Sequence, residues 1–236
     1  MNAAKAAGGI LRKFSDISHL PKAQQIYARL RHDIVTLNLK PGQTLSEKEI
    51  AERFEVSRQP VREAMIKLSE VGLLKVVPQK GSFVVKISRT EVEASSFIRR
   101  ALEAAIVREA CQKISKACLI HLNMLLEKQK DACDRDHFED FLLLDEEFHY
   151  SIAEDIGLIR AWSVIESQKA QMDRVRFLSL PHASPVPQLI EQHTAIVRAL
   201  ETGSEAQAEA AMQSHLSSIH QVIDELEQQY PDYFQQ

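Results

Sequence analysis

A short segment that begins at Ser57 constrains this chain more than any other feature. Serine is a favourable N-cap residue, and Pro60 falls in the first turn, where its missing N–H would have had no helical partner. Arg58 and Arg62 lie four residues apart, so their guanidinium groups share one face of the predicted helix, while Val61 and other apolar side chains line another. The segment is therefore predicted to be a helix with one basic face and one core face.

A second capped segment lies immediately upstream, at residues 45–54. Ser46 is placed to accept a hydrogen bond at the start of this helix, and Glu49, three residues later, completes a capping box. Only a few residues separate the two predicted helices. This arrangement is typical of a helix-turn-helix, in which the second helix enters the major groove of DNA.

The residues that follow predict a β-hairpin, or wing. Gly72 ends the second helix, residues 74–77 and 82–85 are rich in strand-forming side chains, and residues 78–81 form the turn between them. An amphipathic helix is also predicted ahead of the motif, at residues 21–37. Together these elements predict a winged helix-turn-helix of three helices and a two-stranded wing.

Charge divides the chain at the end of this region. Residues 1–88 contain 15 Lys and Arg against 8 Asp and Glu, and residues 89–236 contain 14 against 25, so the overall net charge of −4 combines +7 with −11. An electropositive first domain suits binding to phosphate, and the acidic remainder suits a different task. We expect a flexible tail at residues 1–19, a DNA-binding domain at residues 20–88 and a second domain at residues 89–236.

Composition argues against a membrane or secreted protein. No run approaches the roughly 18 apolar residues that a membrane-spanning helix needs, and residues 1–9 lack the apolar core of a signal peptide. Cys111, Cys118 and Cys133 lie in predicted helices without Cys-x-x-Cys spacing, so they are expected to be reduced. These features predict a soluble, cytoplasmic protein.

Residues 89–236 predict an entirely helical second domain. Capping signals recur, such as Thr90 with Glu93 at the first helix, and the whole chain has only 7 glycines. The fold class is therefore mainly α, with the winged helix-turn-helix followed by an antiparallel all-α bundle. About six bundle helices are expected, at residues 91–114, 116–133, 137–155, 159–179, 187–201 and 205–229.

The first domain resembles the DNA-binding domain of the GntR family of bacterial transcription regulators. The pieces PGQ-L-SE, VSRQPVREA, L-GLL and P-KGSFV match in order and spacing. A single winged helix reads only a few base pairs, so a homodimer on a palindromic double-stranded operator is expected. Phosphate contacts would supply affinity and base contacts specificity. The residues expected to bind DNA, led by the two arginines, are Lys48, Ser57, Arg58, Gln59, Arg62, Lys80 and Gly81.

Four residues of the second domain could meet at one site. Asp145 and His149 lie at i and i+4 on one predicted helix, so they share a face and could chelate one ion. His193 and His215 lie on two later helices among apolar residues at helical spacing, which points both imidazoles inward. A lone buried histidine is commonly just hydrogen-bonded, but three with a carboxylate favour a metal site.

The same positions resemble the FCD domain, the C-terminal ligand-binding domain of the FadR subgroup of GntR regulators. The resemblance covers about residues 90–230 and also includes Arg99-x-x-Leu-Glu103. Metal-binding members of this family hold a divalent cation with one Asp and three His. The resemblance implies the same role for Asp145, His149, His193 and His215, a donor set that suits Zn²⁺ or Ni²⁺.

The resemblance further implies a small carboxylate effector, such as a sugar acid or hydroxy acid, bound at the metal. Arg99 is expected to bind its carboxylate, and Arg174 or Arg176 is expected to contact it as well. Arg99 could instead form a surface ion pair with Glu103, four residues on. The chain is thus predicted to be a repressor of a catabolic operon, controlled by its effector.

Two other functions remain open. A metal-dependent hydrolase with an accessory DNA-binding domain would need a general base beside the metal, and the candidates are Glu146 and Glu147, whose positions place them on other faces of the helix. A metal sensor without an organic ligand is the other alternative. Titration with metal alone, with operator binding as the readout, separates the sensor from the ligand-controlled repressor.

Overall fold

The computed structural model of the protein describes residues 17–77, 81–180, 186–217 and 219–235. Most of the predicted flexible tail, residues 1–16, and Lys80 at the predicted wing tip lie outside the described residues. The three cysteines are free thiols. None of the described helices is both long and apolar enough to cross a membrane.

The first domain contains the three helices predicted for a winged helix-turn-helix. In chain order its elements are α1 (Lys22–Val35), β1 (Thr44–Leu45), α2 (Glu47–Arg53), α3 (Arg58–Glu70), β2 (Leu74–Val77) and β3 (Gly81–Val84). Ile26, Leu30 and Ile34 recur at helical spacing on α1 and are buried in one core with Val61 and Leu68 of α3. This core fixes α3 with its basic face outward.

The sheet of this domain has three strands rather than the two predicted. β1 pairs with β3, placing Thr44 opposite Phe83, and the strand order is β1-β3-β2. A strand of two residues is too short to show an alternation of apolar and polar side chains, so the sequence does not reveal it. α1 also ends before the predicted Leu37, because that residue adopts a left-handed conformation with φ 60°.

The second domain is the predicted all-helical bundle. Its helices are α4 (Arg89–Lys113), α5 (Lys116–Asp134), α6 (Phe138–Asp155), α7 (Ile159–Gln168), α8 (Ala170–Ser179), α9 (Val186–Thr202), α10 (Glu205–Ser217) and α11 (Ile219–Gln229), with a 3₁₀ turn at Pro231–Tyr233. Each predicted segment is helical. One of them, residues 159–179, is divided into two helices, and residue 218, between α10 and α11, lies outside the described residues.

The break between α7 and α8 falls at Lys169, which is buried. Its ammonium group lies 2.7 Å from a carboxylate oxygen of Glu146 and 3.0 Å from one of Asp173. No glycine or proline marks this break, so the sequence carries no signal for it. α4 likewise begins after Ser88, whose hydroxyl accepts a first-turn N–H, and not after the predicted cap Thr90.

One helix joins the two domains. α8 packs against α4 of the bundle and against α1 of the first domain. Ala170, at its start, is part of the first domain's core, and Nε2 of Gln171 donates a hydrogen bond to the carbonyl oxygen of Gly72 at 2.8 Å. α8 is therefore packed against both domains.

The C-terminal strap, residues 230–235, pairs with the linker between the domains. Ile87 forms a parallel β-bridge with Phe234, and both side chains are buried. The N–H of Ile87 donates to the carbonyl of Tyr233 at 2.8 Å, and the N–H of Gln235 donates to the carbonyl of Ile87 at 2.9 Å. The linker is thereby held against the bundle.

Candidate functional site

Three helices bring one carboxylate and three imidazoles to a single point in the bundle. Asp145 and His149 lie on α6, His193 on α9 and His215 on α10. All four side chains are buried, and one ligand atom from each lies within 4.8 Å of the others. The structure thus brings together the four residues that the sequence nominated as metal ligands.

The spacing of these ligand atoms suits a single metal ion. Nε2 of His215 lies 3.2 Å from Nε2 of His149 and 3.2 Å from Nε2 of His193. One oxygen of Asp145 lies 3.5 Å from Nε2 of His193, and the other lies 3.9 Å from Nε2 of His149. Ligands bonded to one zinc ion at about 2.0–2.1 Å lie roughly 3–3.5 Å apart, so only small movements are needed.

Each imidazole also has an oxygen atom beside its other nitrogen, Nδ1. Amide oxygens accept hydrogen bonds, so the proton of His193 and of His215 lies on Nδ1. Their two Nε2 lone pairs then face each other, an arrangement that a cation would stabilise. The outer pairs are Nδ1 of His193 with Oε1 of Gln129 at 2.8 Å, Nδ1 of His215 with Oε1 of Gln192 at 3.0 Å, and Nδ1 of His149 with Oε2 of Glu103 at 2.5 Å.

Burial and charge set the protonation states of the cluster. Burial lowers the pKa of His193 to about 3 and also lowers the pKa of His215, so both imidazoles are neutral. Burial would raise the pKa of Asp145, but the charges around it, that of Arg176 foremost, outweigh burial and hold that pKa well below its usual value. Neutral imidazoles with one ionised carboxylate form a donor set that suits a divalent ion of borderline hardness.

A cavity of about 300 Å³ lies beside the cluster. Asp145 and His215 form part of its wall, together with the guanidinium-bearing side chains of Arg99 and Arg176. Two cationic groups next to candidate metal ligands favour a small anion as the occupant. The remaining polar side chains of the wall are Ser96, Ser179, Gln188, Gln192 and Glu225.

Both arginines of the cavity wall contact carboxylates of the protein. Arg99 forms an ion pair with Glu103, as its spacing allowed, but both side chains are buried rather than on the surface. Arg176 contacts Asp145 and lies 3.4 Å from Asp173. Burial would lower the pKa of Arg176, but these carboxylates raise it, so its charge is retained.

Of the two arginines of which one was expected to contact the effector, Arg176 lines the cavity and Arg174 lies elsewhere. Its Nη1 donates to the carbonyl oxygen of Val85 at 2.7 Å and to Oε1 of Gln171 at 3.1 Å. The side chain is fully buried, and this burial lowers its pKa to about 10. It therefore connects α8 to the end of the wing instead of lining the cavity.

Sequence reasoning missed the outer partners of the imidazoles. Glu103 was expected only as a partner of Arg99, and Gln129 and Gln192 were not singled out. Gln129 is completely buried on α5, and burial of an amide is a signal that helical periodicity could have given. Gln192 is adjacent to His193 in sequence, and its role depends on how α9 meets α10.

The two candidate catalytic bases lie away from the cluster. Oε2 of Glu146 lies 2.7 Å from the ammonium group of Lys169, and Glu147 lies 3.2 Å from His121 on the outer face of the bundle. Neither lines the cavity beside the metal ligands. The geometry gives no support to a hydrolytic role for either glutamate.

The predicted DNA-binding side chains lie mainly on α3 and around its start. Arg58, Gln59 and Arg62 are exposed on α3, and Lys48 is exposed on α2. Ser57 is the N-cap of α3, although its side chain accepts no capping hydrogen bond. The structure therefore presents these polar groups together at one surface of the first domain.

Neighbouring side chains hold part of this surface in place. The guanidinium of Arg62 donates two hydrogen bonds to Glu47, at 3.2 and 3.1 Å, and Gln59 donates one to Glu63 at 3.0 Å. Gly81 begins β3 with φ +104°, a conformation that suits glycine in a wing that approaches DNA closely. Any DNA group that binds the Arg62 guanidinium would have to compete with Glu47.

Comparisons with known proteins agree with both halves of this description. Residues 22–84 match the family model described as bacterial regulatory proteins, gntR family, and residues 95–218 match the FCD domain. The HTH-type transcriptional repressor RspR of Escherichia coli (strain K12) is 44% identical over 214 residues, which cover 91% of this chain and 94% of that protein. An HTH-type regulator from an unstable DNA locus of Streptomyces ambofaciens is 32% identical over 89% of each chain.

A solved structure supports the same fold. The structure of E. coli McbR/YncC superposes with a TM-score of 0.76 at 25% sequence identity and covers 89% of this chain and 99% of that chain. Because the superposition covers nearly the whole of both chains, the shared fold includes both the winged domain and the helical domain.

Proposed function

The chain belongs to the GntR family of bacterial transcription regulators and carries an FCD domain, and we propose that it is a homodimeric repressor controlled by a small carboxylate. The dimer would bind a palindromic operator of a catabolic operon. The effector would bind at a divalent metal, for which Zn²⁺ or Ni²⁺ fits the donor set. The observation that carries this proposal is the cavity, whose wall joins candidate metal ligands to the buried Arg99 and the half-buried Arg176.

The exposed face of α3 supports the DNA-binding part of the proposal. Arg58 and Arg62 would contact base edges in the major groove, where a guanidinium can bind guanine with two hydrogen bonds. Lys67 and Arg53, on the same domain, would neutralise phosphates. Lys80 and Gly81 of the wing would approach the neighbouring minor groove.

The cavity supports the effector part of the proposal. Asp145, His149, His193 and His215 would hold the ion, which when bound would supply open coordination positions for a carboxylate. Arg99 and Arg176 would bind and orient its remaining negative charge. The serine and glutamine side chains of the wall suit the hydroxyl groups of a sugar acid or hydroxy acid, and about 300 Å³ admits only a small ligand.

α8 supports a connection between effector and operator. On one side it contributes Met172 and Arg176 to the cavity, and on the other Gln171 and Arg174 bond to the backbone of the DNA-binding domain. A ligand shifts the position of that domain only if it binds one arrangement of α8 more tightly than another. We expect effector binding to favour the arrangement that releases the operator.

A metal sensor without an organic ligand is the second candidate, since the four metal ligands are buried and close together. The two arginines weigh against it. A site that bound only a cation would not need two guanidinium groups on the wall of the adjoining cavity, because like charges repel. The same groups stabilise a bound anion, so the repressor controlled by a carboxylate is favoured.

Metal analysis of the purified protein beside its His193→Ala/His215→Ala variant tests the proposal. A His121→Ala/His137→Ala variant, altered at partly exposed histidines, is the matched control. We expect about one metal ion per chain in the wild type and control and none in the ligand variant. In a thermal-shift screen, small carboxylates should then raise the Tm of only the metal-loaded proteins. Operator affinity that no carboxylate changes, with metal bound, would reject control by such an effector.

A further inference from the structure

The outer face of α4 is apolar where a solvent-facing helix should be polar. Phe97 is 67% exposed, the highest value for a large apolar side chain among the described residues. Ala94, Ala101 and Ala105 are exposed on the same side of the helix as Phe97. Along the chain these four residues follow one another at spacings of three or four. α4 therefore has two apolar faces, one in the bundle core and one without a partner in the described chain.

This outer face combines a large side chain with a space for one. Phe97 lines a surface groove with Ala101, Ala104 and Ala105 of α4. The opposite wall, from α10, consists of Glu209, Gln213 and Ser217. Alanines leave room above the helix backbone, so the groove can accept an aromatic ring supplied by another surface.

Opposite charges flank the apolar stripe. Glu93 lies toward the start of α4 and Arg108 toward its end, and their side chains are 50% and 53% exposed. Among the described residues each forms a long ion pair, at 3.9 Å from Glu93 to Arg89 and at 3.5 Å from Arg108 to Glu209. The face is thus negative at one end and positive at the other, with the apolar stripe between these ends and Arg100 at the border of the groove.

We propose that two copies of the chain pair through this face, with their α4 helices antiparallel about a two-fold axis between Arg100 and Ala101. In this register Phe97 of each copy faces Ala104 and Ala105 of the other. Glu93 of each copy faces Arg108 of the other. The inference rests on the proposed function, which requires a homodimer, and it names the surface that forms it.

The charges favour a second copy of the chain as the partner and an antiparallel direction for the two α4 helices. A two-fold interface presents the same patch on both sides, so the patch must complement itself, and this one does so only when the helices are antiparallel. A parallel pair would place Glu93 against Glu93 and Arg108 against Arg108, which like charges oppose. Because α4 follows the linker directly, the pair would also set the distance between the two DNA-binding domains.

Analytical ultracentrifugation of the full chain tests the interface through Phe97→Glu. Ile120→Glu, which changes an equally exposed apolar side chain on α5, is the matched control. We expect the wild type and the control to sediment as dimers and Phe97→Glu to dissociate on the order of 100-fold more readily. Circular dichroism should show all three to be equally helical, because both substituted positions are exposed.

Charge exchange tests the register. Glu93→Arg and Arg108→Glu should each weaken the dimer, and the double variant should regain most of the wild-type affinity, because the exchanged charges again face each other. A dimer unaffected by Phe97→Glu would overturn this interface and leave the proposed homodimer standing. A wild type that is monomeric at every concentration, free and on operator DNA, would overturn the homodimer and this interface together.

Discussion

The candidate DNA-binding surface and the candidate metal centre of this chain are built in opposite ways. The first places Arg58, Gln59 and Arg62 on one exposed helix within a few residues of sequence. The second draws its ligands from three helices between residues 145 and 215 and buries all of them. The residues of the first site are close in sequence and exposed to solvent, and those of the second are far apart in sequence and buried.

This difference determines how each site responds to substitution. An exposed side chain on α3 can be removed without altering the core beneath it, so function is lost while stability is kept. A buried ligand such as His193 is bonded to other buried side chains, so its removal affects the metal, the packing and the hydrogen bonds together. Substitutions at the two sites should therefore separate affinity from stability.

The largest effect is expected for His193→Ala. The variant should lose its metal. At a free metal concentration of about 100 times the Kd, this loss should lower the free energy of unfolding by about 2.7 kcal/mol. Thermal unfolding with and without a chelator measures this, since the chelator should lower the Tm of the wild type and leave that of the variant unchanged. Retention of metal by the variant would contradict the assignment, and His121→Ala is the control.

Gln129→Leu should give a smaller change at the same site. The leucine leaves Nδ1 of His193 without its acceptor, so metal affinity should fall by about 10–100-fold while the four ligands remain. Competition with a metal-binding dye measures the Kd. Gln112→Leu, at an exposed glutamine bonded to Glu205, is the control. Unchanged affinity would show that this outer hydrogen bond does not orient the imidazole.

Arg62→Ala should affect DNA binding without affecting stability. We expect a loss of about 1–3 kcal/mol in preference for one base pair of each half-site, with the melting curve unchanged. Binding to a set of operators altered one base pair at a time measures the preference, with Arg135→Ala, an exposed bundle position, as the control. Equal weakening on every sequence would mean that Arg62 contacts only phosphate.

The smallest effect is expected for Ser46→Ala. The hydroxyl of Ser46 accepts the N–H of Glu49 at 3.4 Å, so its loss should lower the free energy of unfolding by about 1 kcal/mol. Ser57→Ala is a matched control, since this N-cap makes no such hydrogen bond and its removal should change stability less. Equal losses in the two variants would show that the Ser46 bond adds nothing measurable.

The sequence predicted those features that depend on neighbours along the chain. The N-cap at Ser46, the helix that begins after Ser57 and the shared face of Asp145 and His149 all follow from spacings of three or four residues. The family resemblance added His193 and His215, which periodicity alone placed only on inward faces.

Features that depend on how helices meet were not predictable in the same way. Arg174 and Arg176 are two residues apart, so they point to nearly opposite sides of α8. Which of them lines the cavity depends on how α8 is oriented in the bundle. The acceptor beside His193 lies on α5 and becomes its neighbour only in the folded bundle. The break at Lys169 likewise depends on carboxylates that the fold brings together.

The pairing of the C-terminal strap with Ile87 sets an order of events during synthesis. Phe234 is translated 147 residues after Ile87, which at about 5–20 residues per second is roughly 7–30 s later. The winged domain ends before Ile87, so we expect it to fold while the bundle is still on the ribosome. A ribosome that stalls within α11 would leave a linker that the C-terminal strap does not yet hold against the bundle.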